Sequence, residues 1–420
     1  MSLTALKGNI ISAPELGELD IREDGYLVLE DGKILGVFDA LPEQYQDAEL
    51  EDHTGKLILQ SFGDMHLHAP QYPQLGLGLD LQLLDWLSTY TFPLEARMKD
   101  TGYAREVYTE LADRLIHAGT TRAIMFSSFH TDATLVLMEC MEKAGITGYV
   151  GKINMDVNGA PDYYQETTEE SERETLRWLD ACGQFRYIKP IITPRFAVSC
   201  TGELMEFLGK TAKERGLYTH SHLSENPLEI ALVKELFPDC EEYWDVYNKY
   251  GLWKDHSVMA HCCYSSEREI DALRDGHVLA VHCPDSNTNV CSGIMSLIHM
   301  LDRGVWVALG SDIAGGSDYH MNRAITAAIK ISDIKRMESG WTERFLTVEE
   351  GYYLATSSAA TYFGAGKGFC KGDMLHAVVV DDSGFPANGD ISTRERFKRA
   401  VYLMDERNIV SVYSEGRKIF

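Results

Sequence analysis

No apolar run in this chain approaches the roughly 18 residues of a membrane span. Its opening residues, Met1 to Gly8, also lack the charged-then-apolar order of a secretory leader. The expectation is therefore a cytoplasmic protein without membrane contact. Basic residues are scarce: 39 Lys and Arg stand against 64 Asp and Glu, a formal net charge of −25. That balance disfavours phosphate-backbone binding, which needs a basic surface, and makes a polyanionic substrate a poorer fit than a neutral small molecule. Long-range steering would favour cations, although solubility alone accounts for the charge. The nine cysteines are odd in number and irregular in spacing, which argues for free thiols rather than a disulfide framework.

The middle of the chain alternates strand-like and helix-like segments at the rhythm of βα units. Candidate strands end near His68, Ser127, Met155, Thr193, Glu225, Cys262, Pro284 and Ile313. Amphipathic stretches such as Ala104 to His117 and Glu203 to Arg215 lie between them. Gly119, Gly145, Gly216 and Gly276 stand where a left-handed residue would close a helix. Eight strands with helices between them fit a (β/α)8 TIM barrel. A doubly wound sheet has the same local pattern, but the polar residues singled out below follow strands one, four, five, six and eight, and only a closed barrel gathers those ends round one mouth. The chain ends read differently, as short alternating strands punctuated by Asp-Gly steps at Asp24-Gly25 and Asp31-Gly32. The expected organisation is a β-sandwich from residues 1–60 plus 371–420, flanking a barrel of residues 61–370. The connection from Ala69 to Asp100 is far longer than the 2 to 6 residues usual for a βα loop. It reads as a lid or binding wall, or as a dimer-packing segment.

Four fragments at strand ends spell one mononuclear metal site: His66-Leu-His68, His222 to Glu225, His261 and Ser311-Asp312. His66 and His68 are two apart and share one face of a strand. His222 supplies a third imidazole, whereas His220, one pleat deeper, reads as a hydrogen-bonded interior histidine. His261 supplies a fourth, and Cys262 and Cys263 beside it read as packing. Asp312 follows so apolar a strand that its carboxylate needs a partner, and a metal fits. His282 reads as a support for the ligands rather than a ligand.

Such a metal makes hydroxide from water near neutral pH. Asp312 would take a proton from that water and orient the hydroxide. Glu225, three residues past His222, would carry the proton to a ring nitrogen and then to the leaving group. The competing reading of Glu225 is a helix-capping glutamate, since Asn226-Pro227 follows it. Attack on an amidine-like carbon with loss of ammonia makes the expected reaction a deamination.

These residues resemble the amidohydrolase superfamily over nearly the whole chain, and within it the guanine deaminases. The resemblance rests on His66-Leu-His-Ala-Pro-Gln-Tyr, Leu83-Leu-Asp-Trp-Leu-Ser-Thr-Tyr-Thr-Phe-Pro-Leu-Glu, Thr193-Pro-Arg-Phe-Ala-Val-Ser-Cys, Ser221-His-Leu-Ser-Glu-Asn and Gly310-Ser-Asp-Ile-Ala-Gly-Gly. It implies a zinc-dependent, homodimeric enzyme of purine catabolism that converts guanine to xanthine and ammonia. It also implies one Zn2+ per chain on His66, His68, His222, His261 and Asp312, although the ligand types alone leave Fe2+ open. The counterparts of Gln71, Arg195 and Phe196 contact guanine. A guanidinium suits the O6 and N7 acceptors, an amide suits a mixed edge, and a phenyl ring offers a face. For Arg195 a structural ion pair is the alternative, and for Phe196 ordinary core. Leu84 and Trp86 are candidates for pocket lining or for packing.

Where the family commonly has a Pro-Gly pair before strand one and Asp-Thr-His-x-His on it, this chain reads Gln60-Ser-Phe-Gly-Asp64-Met-His, which changes the approach to the strand and a buried neighbour but none of the assigned roles. Lys189 sits too deep in strand four to act as the bridging carboxylated lysine of binuclear relatives. The His-x-Glu and Pro-Cys-x-x-Cys strings of the other zinc deaminase fold do not occur. The rivals that stay open are a sister enzyme acting on cytosine, an adenosine-like compound or a chlorinated triazine, and a scaffold without activity. The Pro-Arg-Phe and Gln-Tyr fragments argue against the first. The complete ligand set argues against the second.

Overall fold

In the computed structural model, which describes residues 2–160, 162–386 and 389–420, the two chain ends build one sheet and the middle builds a barrel. The first four strands are β1 (Leu3–Ser12), β2 (Asp20–Glu30), β3 (Lys33–Phe38) and β4 (Glu49–Gln60). Eight more follow: β5 (Phe62–His68), β6 (Thr120–Phe126), β7 (Thr147–Gly151), β8 (Ile188–Pro190), β9 (His220–Leu223), β10 (Val258–His261), β11 (Leu279–His282) and β12 (Val307–Leu309). The chain returns to the first sheet through β13 (Ala377–Val380), β14 (Ile409–Ser414) and β15 (Arg417–Lys418).

Strands β5 to β12 pair in parallel, in two runs of four. Ile192 bridges to Thr219 between the runs, and His220 N donates to Ile192 O at 2.9 Å. The ring closes where Asp312 N donates to His66 O at 2.9 Å and His68 N to Ile313 O at 3.1 Å. Side chains alternate along the strands, apart from an irregularity between Asp64 and Leu67 that lets β5 turn both Met65 and His66 inward. Met65, Ile124, Ile191, Val258, Leu279 and Ala308 therefore meet inside the ring, fully buried. Each such buried side chain of Leu or Ile size contributes roughly 1.5–3 kcal/mol. With the interior filled, chemistry is confined to the rims.

The sheet from the chain ends runs β15-β14-β13-β4-β1-β2-β3. Its edge strand β3 meets the segment leading into β13, because Ile34 N donates to Asp373 O and Leu375 N to Gly32 O, both at 2.9 Å. The sheet thereby encloses its own core of Leu6, Ile10, Leu29, Ile58, Val379 and Tyr413. The Asp31-Gly32 step is a tight turn with φ of 49° and 82°. Asp24-Gly25 is not a turn: Asp24 bulges within β2, its N–H donating to Asn9 Oδ1 at 3.2 Å. We propose the division into residues 1–60 plus 371–420 and residues 61–370 as two domains. The helix Thr393–Leu403 crosses it, since Asn322 Nδ2 of the barrel helix Met321–Glu338 donates to Val401 O and Met404 O.

Gly119, Gly145 and Gly216 do adopt the left-handed region, at φ of 80°, 89° and 64°. Gly276 does not. There the left-handed residue is His277, while a Cβ on Gly276 would lie 2.9 Å from Ala272 O and 3.0 Å from Trp253 Nε1. Close packing, not a turn, requires that glycine. The stretch from Ala69 to Lys99 is also not an open loop. It folds into successive short helical turns, with Trp86, Phe92 and Met98 buried beneath them.

Candidate metal centre and active site

Every candidate ligand ends a barrel strand on the same rim. His66 and His68 share the inward face of β5 and are buried. His222 lies on β9 and His261 closes β10. Asp312 comes three residues after β12. His261 and Asp312 take left-handed backbone, with φ of 75° and 49°, at a cost of about 1–3 kcal/mol each. That strain turns their side chains into the barrel mouth.

The hydrogen bonds behind the rings set which nitrogen faces inward. His222 Nδ1 donates to Arg195 O at 2.5 Å, and His261 Nδ1 donates to Asn287 Oδ1 at 2.8 Å. Their Nε2 lone pairs therefore point to the centre. His66 pairs Nδ1 with His220 Nε2 at 2.8 Å, so His220 is the hydrogen-bonded interior histidine expected. His66 Nε2 is buried with no hydrogen-bond partner, 3.2 Å from Asp312 Oδ1. The Nε2 atoms of His68 and His222 face each other at 3.1 Å. Ligand atoms of His66, His222 and His261 lie within 4.8 Å of one another, as do those of His66, His68 and Asp312. Converging lone pairs and a carboxylate repel unless a cation sits among them, so the donor set fits a divalent metal. Burial pushes the His66, His68 and His222 imidazoles down, keeping them neutral. Burial opposes ionisation of Asp312, but the imidazoles facing it, His66 Nε2 at 3.2 Å first among them, hold its carboxyl well below the usual range.

Neighbouring polar groups fix the rest of the rim. Ser286 Oγ donates to Asp312 Oδ2 at 2.6 Å. Asp64 accepts from Ser311 N at 2.9 Å and from Ser311 Oγ, tying the end of β12 to β5. His282 stands outside both groups of ligand atoms and lines a separate cavity with Met295 and Lys335. Cys262 and Cys263 are buried, and burial pushes their thiols well up, as packing residues require.

Glu225 does not cap the helix Pro227–Leu236. Asn226 does, accepting from Leu228 N at 2.9 Å, and Glu229 Oε2 accepts from the backbone N–H groups of Glu225 and Asn226 at 3.0 and 3.1 Å. The Glu225 carboxylate is left to turn inward. It lies 3.6 Å from His261 Nε2 and accepts from Ser292 Oγ at 2.6 Å, while burial pushes its pKa up.

A cavity of about 420 Å3 opens beside these groups, lined among others by Gln71, Trp86, Arg195, Phe196, Glu225 and Asp312. Arg195 is both ion-paired and exposed to the cavity. Its Nη1 donates to Glu95 Oε2 at 2.6 Å and its Nη2 to Glu95 Oε1 at 3.3 Å. Gln71 Nε2 donates to the same carboxylate at 2.8 Å, and Gln71 Oε1 accepts from Ala314 N at 3.1 Å. Tyr164 OH completes the shell around Glu95. Leu84 is a correction: it is 39% exposed and outside the cavity, which Leu83, Trp86 and Leu87 line instead. Those three recur at i, i+3 and i+4 on one helical face, and position 84 points away from it. Glu95, Ser286, Asn287 and Ser292 were not singled out from the sequence. The signal for Glu95 was its place at the end of the fragment from Leu83 that carries the family resemblance, closing the apolar run Phe92-Pro-Leu.

The Amidohydrolase family profile matches residues 57–419. The chain belongs to the amidohydrolase family. It is 40% identical over 385 residues to the guanine deaminase of Rattus norvegicus, covering 88% of this chain and 84% of that one. It is 34% identical over 443 residues to the guanine deaminase of Dictyostelium discoideum, covering 98% and 97%. The crystal structure of guanine deaminase from C. acetobutylicum with bound guanine in the active site superposes with a TM-score of 0.97 at 41% identity, covering 100% of both chains. No helix among the described residues is long and apolar enough to cross a membrane.

Proposed function

We propose that the protein hydrolyses guanine to xanthine and ammonia, using one Zn2+ held by His66, His68, His222, His261 and Asp312. The observation that carries this reading is the Arg195–Glu95–Gln71 cluster in the same cavity as the converging ligand atoms and Glu225. When bound, the metal supplies the Lewis acidity that brings the pKa of water towards neutrality. Arg195 presents guanidinium N–H groups to the O6 and N7 acceptors of guanine. Gln71, its amide oriented by Glu95 and Ala314, reads the adjoining edge, and Phe196 offers an apolar face to the ring. The Asp312 carboxylate, steadied by Ser286, accepts a proton from the attacking water. Glu225 delivers a proton to the ring nitrogen beside the amino-bearing carbon and then to the departing amine. Burial raises its pKa, the direction that favours a carboxyl group holding a proton. Water adds, the carbon–nitrogen bond breaks, and ammonia leaves.

Imidazole-rich ligation with one carboxylate supports zinc. Nine free cysteines support a cytoplasmic site of action. A homodimer is supported by the exposed apolar side chains of Met337, Trp341 and Phe345. The test is spectrophotometric conversion of guanine alongside ammonia release, with adenine and cytosine as comparators. Equal xanthine and ammonia from guanine alone supports the proposal. Turnover of another ring in preference to guanine overturns it.

A further inference from the structure

At the opposite end of the barrel from the metal ligands, a second and larger cavity of about 960 Å3 lies between the strand starts and the sheet from the chain ends. Its walls come from the beginnings of β6 and β7, from β8, from the segment 363–376 and from the turn at Glu415. Arg122 shares the inward face of β6 with Ile124, and Lys189 shares that of β8 with Ile191, both of which point into the barrel. Lys189, too deep for a metal-bridging role, is thus directed into this foot cavity. Arg186 lines the exposed rim, its guanidinium 4.9 Å from the Tyr187 ring, and Arg417 stacks on the same ring at 5.2 Å.

What sets these cations apart is that they share one concavity. With 64 carboxylates for 39 Lys and Arg, pairing is easily had, and Arg303 and Arg344 each engage two acids. Among the described residues, the charged groups of Arg122, Arg186 and Lys189 make no hydrogen bond or ion pair, the Glu142 carboxylate taking only the backbone N–H of Arg186. The two acids of the cavity are already occupied. Glu415 accepts from Thr147 Oγ1 at 3.1 Å and pairs with His376 Nε2 at 3.2 Å, and Asp373 Oδ2 accepts from Gly366 N at 2.7 Å. Burial pushes the Arg122 guanidinium down to about 10, with Glu415 and Asp373 pulling it up, so it keeps its charge at neutral pH. Three unpaired cations in one concavity match an oxyanion, with the planar guanidinium fork suited to phosphate. Tyr149, Tyr187 and Phe363 add aromatic faces to the same walls.

We propose that this foot cavity binds a phosphate group, either free or as the phosphomonoester of a nucleotide, through Arg122, Lys189 and Arg186. The site is separate from the catalytic mouth, so occupancy does not require an empty active site. Isothermal titration of the metal-loaded full-length protein at low ionic strength, with inorganic phosphate, guanosine 5′-monophosphate and uncharged guanosine, tests it. Saturable phosphate binding is expected, weakened about tenfold, or about 1.4 kcal/mol, in Arg122→Met and in Lys189→Met. Arg186→Ser, on exposed surface, leaves the fold intact and is expected to weaken binding several-fold while guanine turnover stays at the wild-type value. Tighter binding of the nucleotide than of phosphate assigns the ligand to nucleotides, and equal binding assigns it to free phosphate. No saturable binding of either anion, or binding indifferent to all three substitutions, overturns the proposal.

Discussion

Arg195 and Glu95 are a hundred residues apart in sequence and meet as a buried two-point ion pair at the wall of the catalytic cavity, with Nη1 to Oε2 at 2.6 Å. Glu95 is fully buried and Arg195 is 2% exposed. The pair is therefore a positioning device for the guanidinium, and removing one partner leaves a buried charge uncompensated. Glu95→Gln is expected to cost about 3–5 kcal/mol of stability. It should also raise KM for guanine more than it lowers kcat, because Arg195 loses its orientation. A thermal melt and steady-state kinetics on the same sample check both.

The Glu225 side chain is freed from capping by Asn226 and Glu229. Glu225→Gln keeps the shape and the hydrogen bond from Ser292 but cannot cycle a proton. The expected outcome is a fall in kcat of about 10²–10⁴. Metal content, measured by elemental analysis, should be unchanged. Loss of metal in this variant would instead make Glu225 a ligand.

Leu84 and Trp86, two residues apart on one short helix, separate cavity lining from surface. Trp86→Ala is expected to cost about 3–5 kcal/mol and to raise KM. Leu84→Ala, at 39% exposure, should change neither stability nor kinetics appreciably.

Glu269 predicts a pH signature in stability. It is 2% exposed, and burial pushes its carboxyl from 4.5 up to about 7. Between those values the folded chain holds a proton that the unfolded chain has lost. Stability contributed by this group therefore falls as pH rises from 4.5 to 7 and is flat above. Glu269→Gln removes the penalty, so its thermal midpoint should equal the wild type's near pH 4. Above pH 7 it should exceed it by the equivalent of about 3 kcal/mol. Melts across that range check the sign.

The readings that came through from sequence rest on local physics. Apolar runs ending in His or Asp fixed both the strand ends and the ligand candidates, because alternation on a strand decides the face. Features that depend on tertiary closure were not legible. The meeting of β3 with the segment leading into β13 joins segments more than three hundred residues apart. Glu95 lies in a stretch of short helical turns with no period to flag it, and Leu84 stood as a candidate for pocket lining or packing for the same reason. Gly276 looked like a helix stop because its packing against Trp253 leaves no trace in the local pattern.

The central claim is that one metal among four histidines and Asp312 carries guanine hydrolysis. Its most direct test is a titration of chelator-stripped protein with Zn2+, following guanine turnover and bound metal together. The account predicts negligible activity in the stripped protein, rising linearly and ending at about one Zn2+ per chain. Full activity without metal, or a rise that continues to two metals per chain, would contradict it.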